Sequence, residues 1–412
     1  MRDQSPTHFI GLDIGTSTVR CIVGMPDQAD QGKLSIIGHG SAQNQGMRKG
    51  VVVHVDDVVD AVIHAVTEAE RVSGVQIRAA TVNVNGAHVS GMNSKGVVAI
   101  STANREIGTD DRMRAEEAAT IMQMPPNREI IQIFAQNYRV DGQDNIKDPV
   151  GMQGVRLEVD AHIVTASTPN LRSLDLVLEK AKVFPSHHAV SSLAAAEAVL
   201  TRQQKESGTL LLDIGAGTTN LVVIEDGEVQ HVAVIPVGGT NITNDLAIGL
   251  KTDLDVAEQV KLQHAALADK QKFGAVKVQH NDTTLSFQTE GDYGIHNIVE
   301  SRLEELFELV DKELKRIHRS RKLPGGVVIC GGTANIPGIA AMARDQLQLP
   351  ARVGTLQPMT GLIDTVQDPA YATAVGLMML DMLLVPSSGD DLGRPSSGAF
   401  GLLDGLLKRF RR

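Results

Sequence analysis

The chain alternates short apolar runs with amphipathic stretches along most of its length. Runs of β-branched residues such as "FIGLDIG" (9–15) and "GVVICGG" (326–332) predict buried strands. Apolar residues recur at helical spacing in "DDVVDAVIHAVTEAERVSG" (56–74), where Gly74 suits the C-terminal cap, and the segment 187–207 predicts another helix. Strands that alternate with helices predict an α/β protein.

The pattern changes in three segments. Residues 83–168 hold short strand-like runs around a helix near 110–122 and predict a small inserted α+β unit. Residues 241–305 alternate helix, hairpin (275–288) and helix, which predicts a second inserted lobe. The stretch "PSSGDDLGRPSSG" (386–398) is a flexible linker by composition.

One phrase occurs twice, as "FIGLDIGTSTVRCIVG" (9–24) and "TLLLDIGAGTTNLVVI" (209–224). Each copy predicts a β-hairpin whose Gly-rich turn can aim backbone N–H groups at phosphate oxygens, and Asp13 and Asp213 at the strand ends can hold a hydrated Mg²⁺. A single copy would equally suit a tight hairpin with a turn aspartate. Two copies predict two facing loops that clamp a nucleoside triphosphate. The candidate phosphate-binding residues are Gly15, Thr16, Ser17, Thr18, Gly215, Gly217, Thr218 and Thr219.

Composition narrows the classes of function. At 412 residues the chain is long enough for two or three domains, and a formal charge of −10 argues against a general nucleic-acid binder, which needs a basic face. Cys21 and Cys330 lie in apolar runs and are expected to be buried free thiols. The longest apolar stretch, 374–385, contains Asp381 and is too short to cross a bilayer, and no signal-peptide segment precedes the first strand.

A third segment, "VVICGGTANIPGIAAMARDQL" (327–347), together with the two copies of the repeated phrase, makes a set of three motifs. Residues 11–18, 211–219 and 329–338 resemble the phosphate 1, phosphate 2 and adenosine motifs of the superfamily that contains actin, the large heat-shock chaperone ATPases and the sugar kinases. The resemblance implies ATP and Mg²⁺ as ligands. It adds Gly331, Gly332 and Thr333 as nucleotide-binding residues, with Glu258 and Lys261 at the ribose and adenine, although a solvated helix face is the alternative for these last two.

The same resemblance bears on catalysis. Residues 189–199 and 368–380 stand where the superfamily has its two interdomain connecting helices. Relatives that hydrolyse ATP well place Glu or Gln in the first of them, whereas this chain has Ser191 and Ser192 there, and the nearest carboxylate is Glu197. We therefore expect at most slow ATP hydrolysis.

Over nearly its whole length, including "VNVNGAHV" (82–89) and "VGGTNITNDLAIGL" (237–250), the chain is similar to the FtsA family of bacterial cell-division proteins. This implies an actin-like two-lobed ATPase fold with an inserted α+β subdomain, 1C, and a C-terminal amphipathic helix. The implied subdomains are 1A (1–82, 169–200 and 358–385), 1C (83–168), 2A (201–240 and 306–357) and 2B (241–305), followed by the linker 386–398 and the helix 399–412.

The family resemblance also implies a function and partners. It implies a filament-forming protein that tethers the tubulin-like ring of FtsZ to the cytoplasmic face of the cell membrane at the division site and recruits later division membrane proteins. Arg302 is then a candidate to bind the C-terminal peptide of FtsZ, although an intrahelical ion pair with Glu305 is an equal alternative. Two other functions stay open on this fold: an actin-like scaffold of type IV pilus assembly and a small-molecule kinase.

The segment "AFGLLDGLLKRFRR" (399–412) predicts a helix that lies on anionic lipid. At about 100° per residue its six large apolar residues fall in one arc, and its basic residues fall in the opposite half. A core-packed terminal helix is the alternative. The candidate membrane-binding residues are Phe400, Leu402, Leu403, Leu406, Leu407, Lys408, Arg409, Phe410 and Arg411.

Overall fold

The computed structural model describes residues 8–27, 34–102, 104–121, 124–267, 274–280, 283–291 and 293–384. The first elements are β1 (Phe9–Ile14), β2 (Thr18–Pro26), β3 (Leu34–Gln43), β4 (Met47–Arg48), β5 (Val51–Val52), α1 (Val55–Ser73) and β6 (Ala79–Val84). The next five, called the insert below, are β7 (Ser90–Ala99), α2 (Thr109–Thr120), β8 (Arg128–Val140), β9 (Gln143–Ile146) and β10 (Arg156–Ser167).

The chain continues through α3 (Thr168–Lys180), β11 (Phe184–Val190), α4 (Ser191–Val199), α5 (Arg202–Ser207), β12 (Thr209–Ile214), β13 (Thr219–Glu225) and β14 (Glu228–Ile235). The remaining elements are α6 (Gly239–Leu250), α7 (Leu254–His264), β15 (Ala275–His280), β16 (Thr283–Gln288), α8 (Ile295–Arg316), β17 (Gly326–Cys330), α9 (Ile339–Leu347), β18 (Ala351–Val353), β19 (Thr360–Gly361), α10 (Ile363–Val366) and α11 (Ala372–Leu383).

Two sheets divide the described residues into two lobes of the same design. Lobe 1 has the strand order β11-β6-β1-β2-β3-β19, and lobe 2 has the order β18-β17-β12-β13-β14. In lobe 1, β1 pairs antiparallel with β2 and parallel with β6; in lobe 2, β12 pairs antiparallel with β13 and parallel with β17. Each copy of the repeated phrase is therefore a hairpin inside its own sheet, as its sequence predicts. β1 and β12 are buried along their whole length.

Helices α4 and α11 cross in close contact between the lobes. Every residue of α4 is buried, and the helix packs against strands of both sheets. At the crossing, a Cβ atom on Gly376 would lie only 1.7 Å from the carbonyl oxygen of Ala194. Glycine is thus required where the two helices meet, because any side chain would push them apart.

The insert has its own apolar core and docks on lobe 2. Its sheet, in the order β7-β10-β8-β9, joins β14 through a single residue pair, Ala233 with Ser90. Side chains complete the junction: the ring Nε2 of His162 accepts the Val232 N–H at 3.1 Å, and Gln136 donates to the Val229 carbonyl at 2.9 Å. The insert is therefore attached to the edge strand of lobe 2 mainly by side chains that bind backbone groups.

The structure corrects one sequence prediction and confirms others. Residues 187–207 are not one helix: His187 and His188 lie in β11, which pairs parallel with β6, and the helical part is split into α4 and α5. Sheet pairing outweighs the local helical pattern at these two histidines. The helix expected at 56–74 is confirmed, with Gly74 left-handed at its cap (φ 70°), as is the hairpin at 275–288.

Two further points concern membranes. Within the parts of the chain that the structure describes, no helix is both long and apolar enough to span a bilayer. The expected linker at 386–398 and the expected amphipathic helix at 399–412 lie outside the described residues.

Candidate functional site

The two Gly-rich turns of the repeated phrase contact each other across the lobes. Each turn is closed by the same backbone hydrogen bond, from Gly15 N–H to the Thr18 carbonyl (3.2 Å) and from Gly215 N–H to the Thr218 carbonyl (2.9 Å). A Cβ atom on Gly217 would lie 2.8 Å from Oγ1 of Thr16. Glycine therefore allows the loop of lobe 2 to approach the loop of lobe 1 this closely.

Asp13 lies at the carboxyl end of β1 and is buried. Nδ2 of Asn83 donates to Oδ1 of Asp13 at 2.8 Å, and the amide oxygen of Asn83 accepts the Ile14 N–H at 2.7 Å, so the carboxylate is held in one orientation. Burial raises the pKa of Asp13 to about 7; the charge of Arg20 opposes this rise and the charge of Asp213 adds to it.

Asp213 occupies the equivalent position in lobe 2. Its Oδ2 accepts hydrogen bonds from Thr373 (3.1 Å) and Asn220 (3.3 Å). Burial raises the pKa of Asp213 as well, against the lowering effect of these two hydrogen bonds and of Arg20. The structure thus brings together the two aspartates that the sequence singles out, although 200 positions separate them in the chain.

This pair of carboxylates suits a divalent cation. The described residues contain no group of three or more His, Cys, Asp or Glu side chains that could enclose a metal, so a cation here would be held by two carboxylates, water and oxygens of a ligand. Mg²⁺ prefers that kind of open, water-rich coordination. Because burial disfavours the charged form of both aspartates, a cation would relieve a cost that the protein alone leaves in place.

Arg20 is a residue of this site that the sequence analysis missed. It stands opposite Asp13 in the β1–β2 pairing, its charge lowers the pKa of both aspartates, and its guanidinium carbon lies 5.1 Å from the ring centroid of Tyr371. The second copy of the phrase has Asn220 at the matching position. The signal was present as a lone cation in an apolar strand, but only the register shows that it faces Asp13.

The loop after β17 forms the third side of the site. Gly331 has a φ of 85°, and a Cβ atom there would lie 2.6 Å from Oδ1 of Asp213. Gly332 begins the short 3₁₀ turn that follows, and the Thr333 hydroxyl donates to the Gly215 carbonyl at 3.1 Å. The segment that resembles the adenosine motif therefore packs directly on the loop that resembles the phosphate 2 motif.

Lys261 and Glu258 form an ion pair beside this loop, in which Lys261 is largely buried and Glu258 is partly exposed. Nζ of Lys261 is 2.7 Å from Oε2 of Glu258 and donates to Oγ1 of Thr243 (2.9 Å) and to the Gly239 carbonyl (3.2 Å). The Lys261 side chain is only 12% exposed. A Cβ atom on Gly239 would contact both Thr333 Oγ1 and Lys261 Nζ. Thr333 and Lys261, both predicted to bind the nucleotide, therefore lie close together.

Other predicted residues lie apart or are engaged elsewhere. The Thr219 hydroxyl donates to the Val237 carbonyl at 2.8 Å, and Ser17 is exposed at the tip of the first turn, beside Thr18. Arg302 is on α8: its Nη2 donates to Oδ1 of Asp245 at 2.9 Å, and Nη1 pairs with Glu305. The predicted membrane-binding residues, 400–411, are outside the described part of the chain.

The chain is similar to known proteins in sequence and in fold. The family profile "Cell division protein FtsA" matches residues 210–376, and "SHS2 domain inserted in FTSA" matches residues 86–165. The FtsA of Pseudomonas aeruginosa is 35% identical over 385 residues, which cover 91% of this chain and 89% of that protein. Among solved structures, a PilM-PilN type IV pilus biogenesis complex aligns with a TM-score of 0.63 at 17% identity, covering 90% of this chain and 98% of the other.

Spiroplasma citri MreB5 bound to ADP aligns with a TM-score of 0.53 at 15% identity, over 92% of this chain and 97% of the other. Two lobes with paired aspartate hairpins, an inserted α+β unit and these structural neighbours define an actin-like ATPase fold. Within that class, the chain belongs to the FtsA family of bacterial cell-division proteins.

Proposed function

We propose that the chain binds Mg²⁺ and ATP between its two lobes and acts in division as a polymerising membrane tether of the FtsZ ring. The observation that carries the nucleotide proposal is the meeting of Asp13, Asp213 and both Gly-rich turns at one place. MreB5, a neighbour in fold, was solved with ADP. Family membership favours this role over the pilus scaffold and the small-molecule kinase.

Each residue of the site has a part in this proposal. Asp13 and Asp213 hold the magnesium ion, which neutralises phosphate charge when it is bound. Asn83 keeps the Asp13 carboxylate in place, and Arg20 offsets the repulsion between the two acids. The backbone N–H groups of both turns and the hydroxyl of Thr16 receive phosphate oxygens. Glu258, Lys261, Gly331, Gly332 and Thr333 line the nucleoside side.

Turnover is proposed to be slow because no acidic side chain at the start of α4 is placed to orient water. Ser191 accepts a hydrogen bond from Asn83 (3.2 Å), which places it next to Asp13, and it is followed by Ser192. Glu197 is 2% exposed and pairs with Lys205, so its carboxylate is already neutralised. Bound nucleotide then acts mainly by favouring one lobe arrangement and hence filament formation.

The FtsZ peptide is proposed to bind at Arg302, on the surface between α6 and α8. Asp245 holds the guanidinium through two nitrogens, whereas Glu305 is 51% exposed and only three residues away on the same helix. A peptide carboxylate can replace Glu305 at little cost, because exposed ion pairs are weak. Ile248, which is 76% exposed on α6, offers an apolar contact nearby.

Attachment to the cytoplasmic face of the membrane is assigned to residues 399–412. Six apolar side chains give at most roughly 1.5–3 kcal/mol each, and ordering a dozen residues costs on the order of 1–2 kcal/mol apiece, so one tail binds weakly. Basic residues add about 1 kcal/mol each at anionic lipid. Filaments carry many tails and bind tightly through avidity, which places the ring and later division membrane proteins together at the septum.

Calorimetry of ATP binding with Mg²⁺ or with EDTA tests the nucleotide proposal. Asp213→Ala is expected to weaken binding about tenfold or more in Mg²⁺, because a metal-ordering carboxylate is lost, and far less in EDTA. Asp364→Ala, which removes an exposed carboxylate from α10, is the matched control and is expected to change neither value. Equal losses in Mg²⁺ and EDTA for Asp213→Ala would contradict the metal role.

A further inference from the structure

Two threonine hydroxyls of the Gly-rich turns are hydrogen-bonded next to the root of the insert, but in opposite senses. The Gly50 N–H donates to Oγ1 of Thr16 at 3.1 Å, so Thr16 acts as an acceptor and keeps its own proton available. Oγ1 of Thr218 instead donates to the amide oxygen of Asn85 at 3.2 Å. The only hydroxyl proton of Thr218 is therefore already used.

The direction of the Thr218 bond follows from the contacts of Asn85. The same amide oxygen accepts the N–H of Gly86 at 2.5 Å, so the oxygen and not the NH₂ group faces this corner. An amide oxygen has no proton to give, which makes Thr218 the donor. Thr218 is 1% exposed, so no bulk water competes for its proton.

Asn85 also stands where the insert begins. It follows the last residue of β6, and the next residue, Gly86, packs on Gly50 so closely that a Cβ atom on Gly50 would lie 2.7 Å from Cα of Gly86. The Val89 N–H then closes the turn on the Gly86 carbonyl at 2.9 Å, one residue before β7. A change at Asn85 is thus passed directly to the first strand of the insert.

We propose that Asn85 is a latch that an incoming phosphate displaces from Thr218. This inference rests on the proposed ATP binding and adds a means of reporting it. When a phosphate oxygen takes the Thr218 proton, the Asn85 bond must break, since one hydroxyl cannot donate twice. Loss of that bond loosens the turn 85–89, so the mobility of the start of the insert depends on whether the cleft holds nucleotide.

The latch predicts that a substitution beside the nucleotide site raises the affinity for Mg-ATP instead of lowering it. Asn85→Ala frees the Thr218 hydroxyl in advance and is expected to tighten Mg-ATP binding about threefold to tenfold, the value of one neutral hydrogen bond. In a Thr218→Val background the same substitution is expected to have no effect, because there is no proton left to compete for. Asn104→Ala, an exposed amide within the insert bonded to Glu106, is the matched control.

Hydrogen exchange gives a second readout that a purely structural role would not produce. In the wild-type chain, Mg-ATP is expected to speed exchange of the Gly86 and Val89 amides; in Asn85→Ala they exchange fast with or without nucleotide. If Asn85→Ala does not fold, Asn85→Ser, whose hydroxyl is too short to reach Thr218, replaces it.

The outcomes separate the two proposals. A wild-type chain that binds no Mg-ATP in calorimetry refutes the proposed nucleotide site, and the latch with it. A wild-type chain that binds Mg-ATP with unchanged exchange at residues 86 and 89, or an Asn85 variant with equal or weaker affinity, overturns the latch alone.

Discussion

Acidification is expected to weaken the attachment of the insert to lobe 2 through His162. This imidazole is 1% exposed and its tautomer is determined: Nδ1 donates to Oδ1 of Asn93 at 2.6 Å, and Nε2 accepts the Val232 N–H at 3.1 Å. Protonation would place a second N–H against that of Val232. Burial, with a smaller effect from the charge of His231, lowers the pKa of His162 to about 3.

The direction and size of this pH effect follow from the linkage between proton binding and folding. Because the pKa is lower in the folded state than the value of about 6.5 in the unfolded chain, stability is complete above pH 6.5 and is lost as the pH falls toward 3. At about 1.36 kcal/mol per pH unit, the step from pH 7.5 to pH 5 removes about 2 kcal/mol. Burial also lowers the pKa of His231, with a smaller lowering effect from the charge of Arg316 and against the raising effect of Glu313, so His231 adds to the same trend.

Hydrogen exchange at the Val232 and Ala233 amides, measured from pH 5 to 7.5 and corrected for intrinsic rates, gives the free energy of local opening. His162→Gln has no titrating ring and serves as the comparison, so the difference in pH dependence between the two proteins isolates His162. We expect that difference to be about 2 kcal/mol over this range. Parallel pH profiles, or an NMR titration that places the His162 pKa near 6.5, would refute the argument.

Two other predictions concern partners. Arg302→Glu is expected to weaken binding of the FtsZ C-terminal peptide more than about tenfold, because the charge-assisted hydrogen bond from the guanidinium to the peptide carboxylate is lost and a like charge takes its place. Arg316→Glu on the same helix is expected to leave affinity unchanged in fluorescence anisotropy, and equal affinities for all three proteins would remove Arg302 from the site. Leu407→Glu, or removal of residues 399–412, is expected to abolish sedimentation with anionic vesicles while Mg-ATP affinity is retained, and a truncated chain that still sediments alone would place the membrane contact elsewhere.

Local sequence patterns predicted several features of this molecule correctly. The two Asp-Ile-Gly hairpins form as expected, because two apolar strands joined by a glycine turn specify a hairpin within about 16 residues. Helix α1 and its Gly74 cap likewise depend on neighbours in the chain. That Asp13 and Asp213 would meet also followed from the sequence, since the repetition of one phrase implies two equivalent loops.

Only the tertiary structure decided what surrounds these aspartates and how the insert is attached. Asn83 and Thr373 reach Asp13 and Asp213 from positions 70 and 160 residues away, Arg20 is assigned by strand register, and His187 lies in a strand because β6 is beside it. The hydrogen bond that Thr218 donates to Asn85 and the one that His162 accepts from the Val232 N–H likewise join separate parts of the fold. Such contacts join residues whose neighbours in the chain carry no sign of the partner, because their energy comes from burial and pairing that exist only once the lobes are packed.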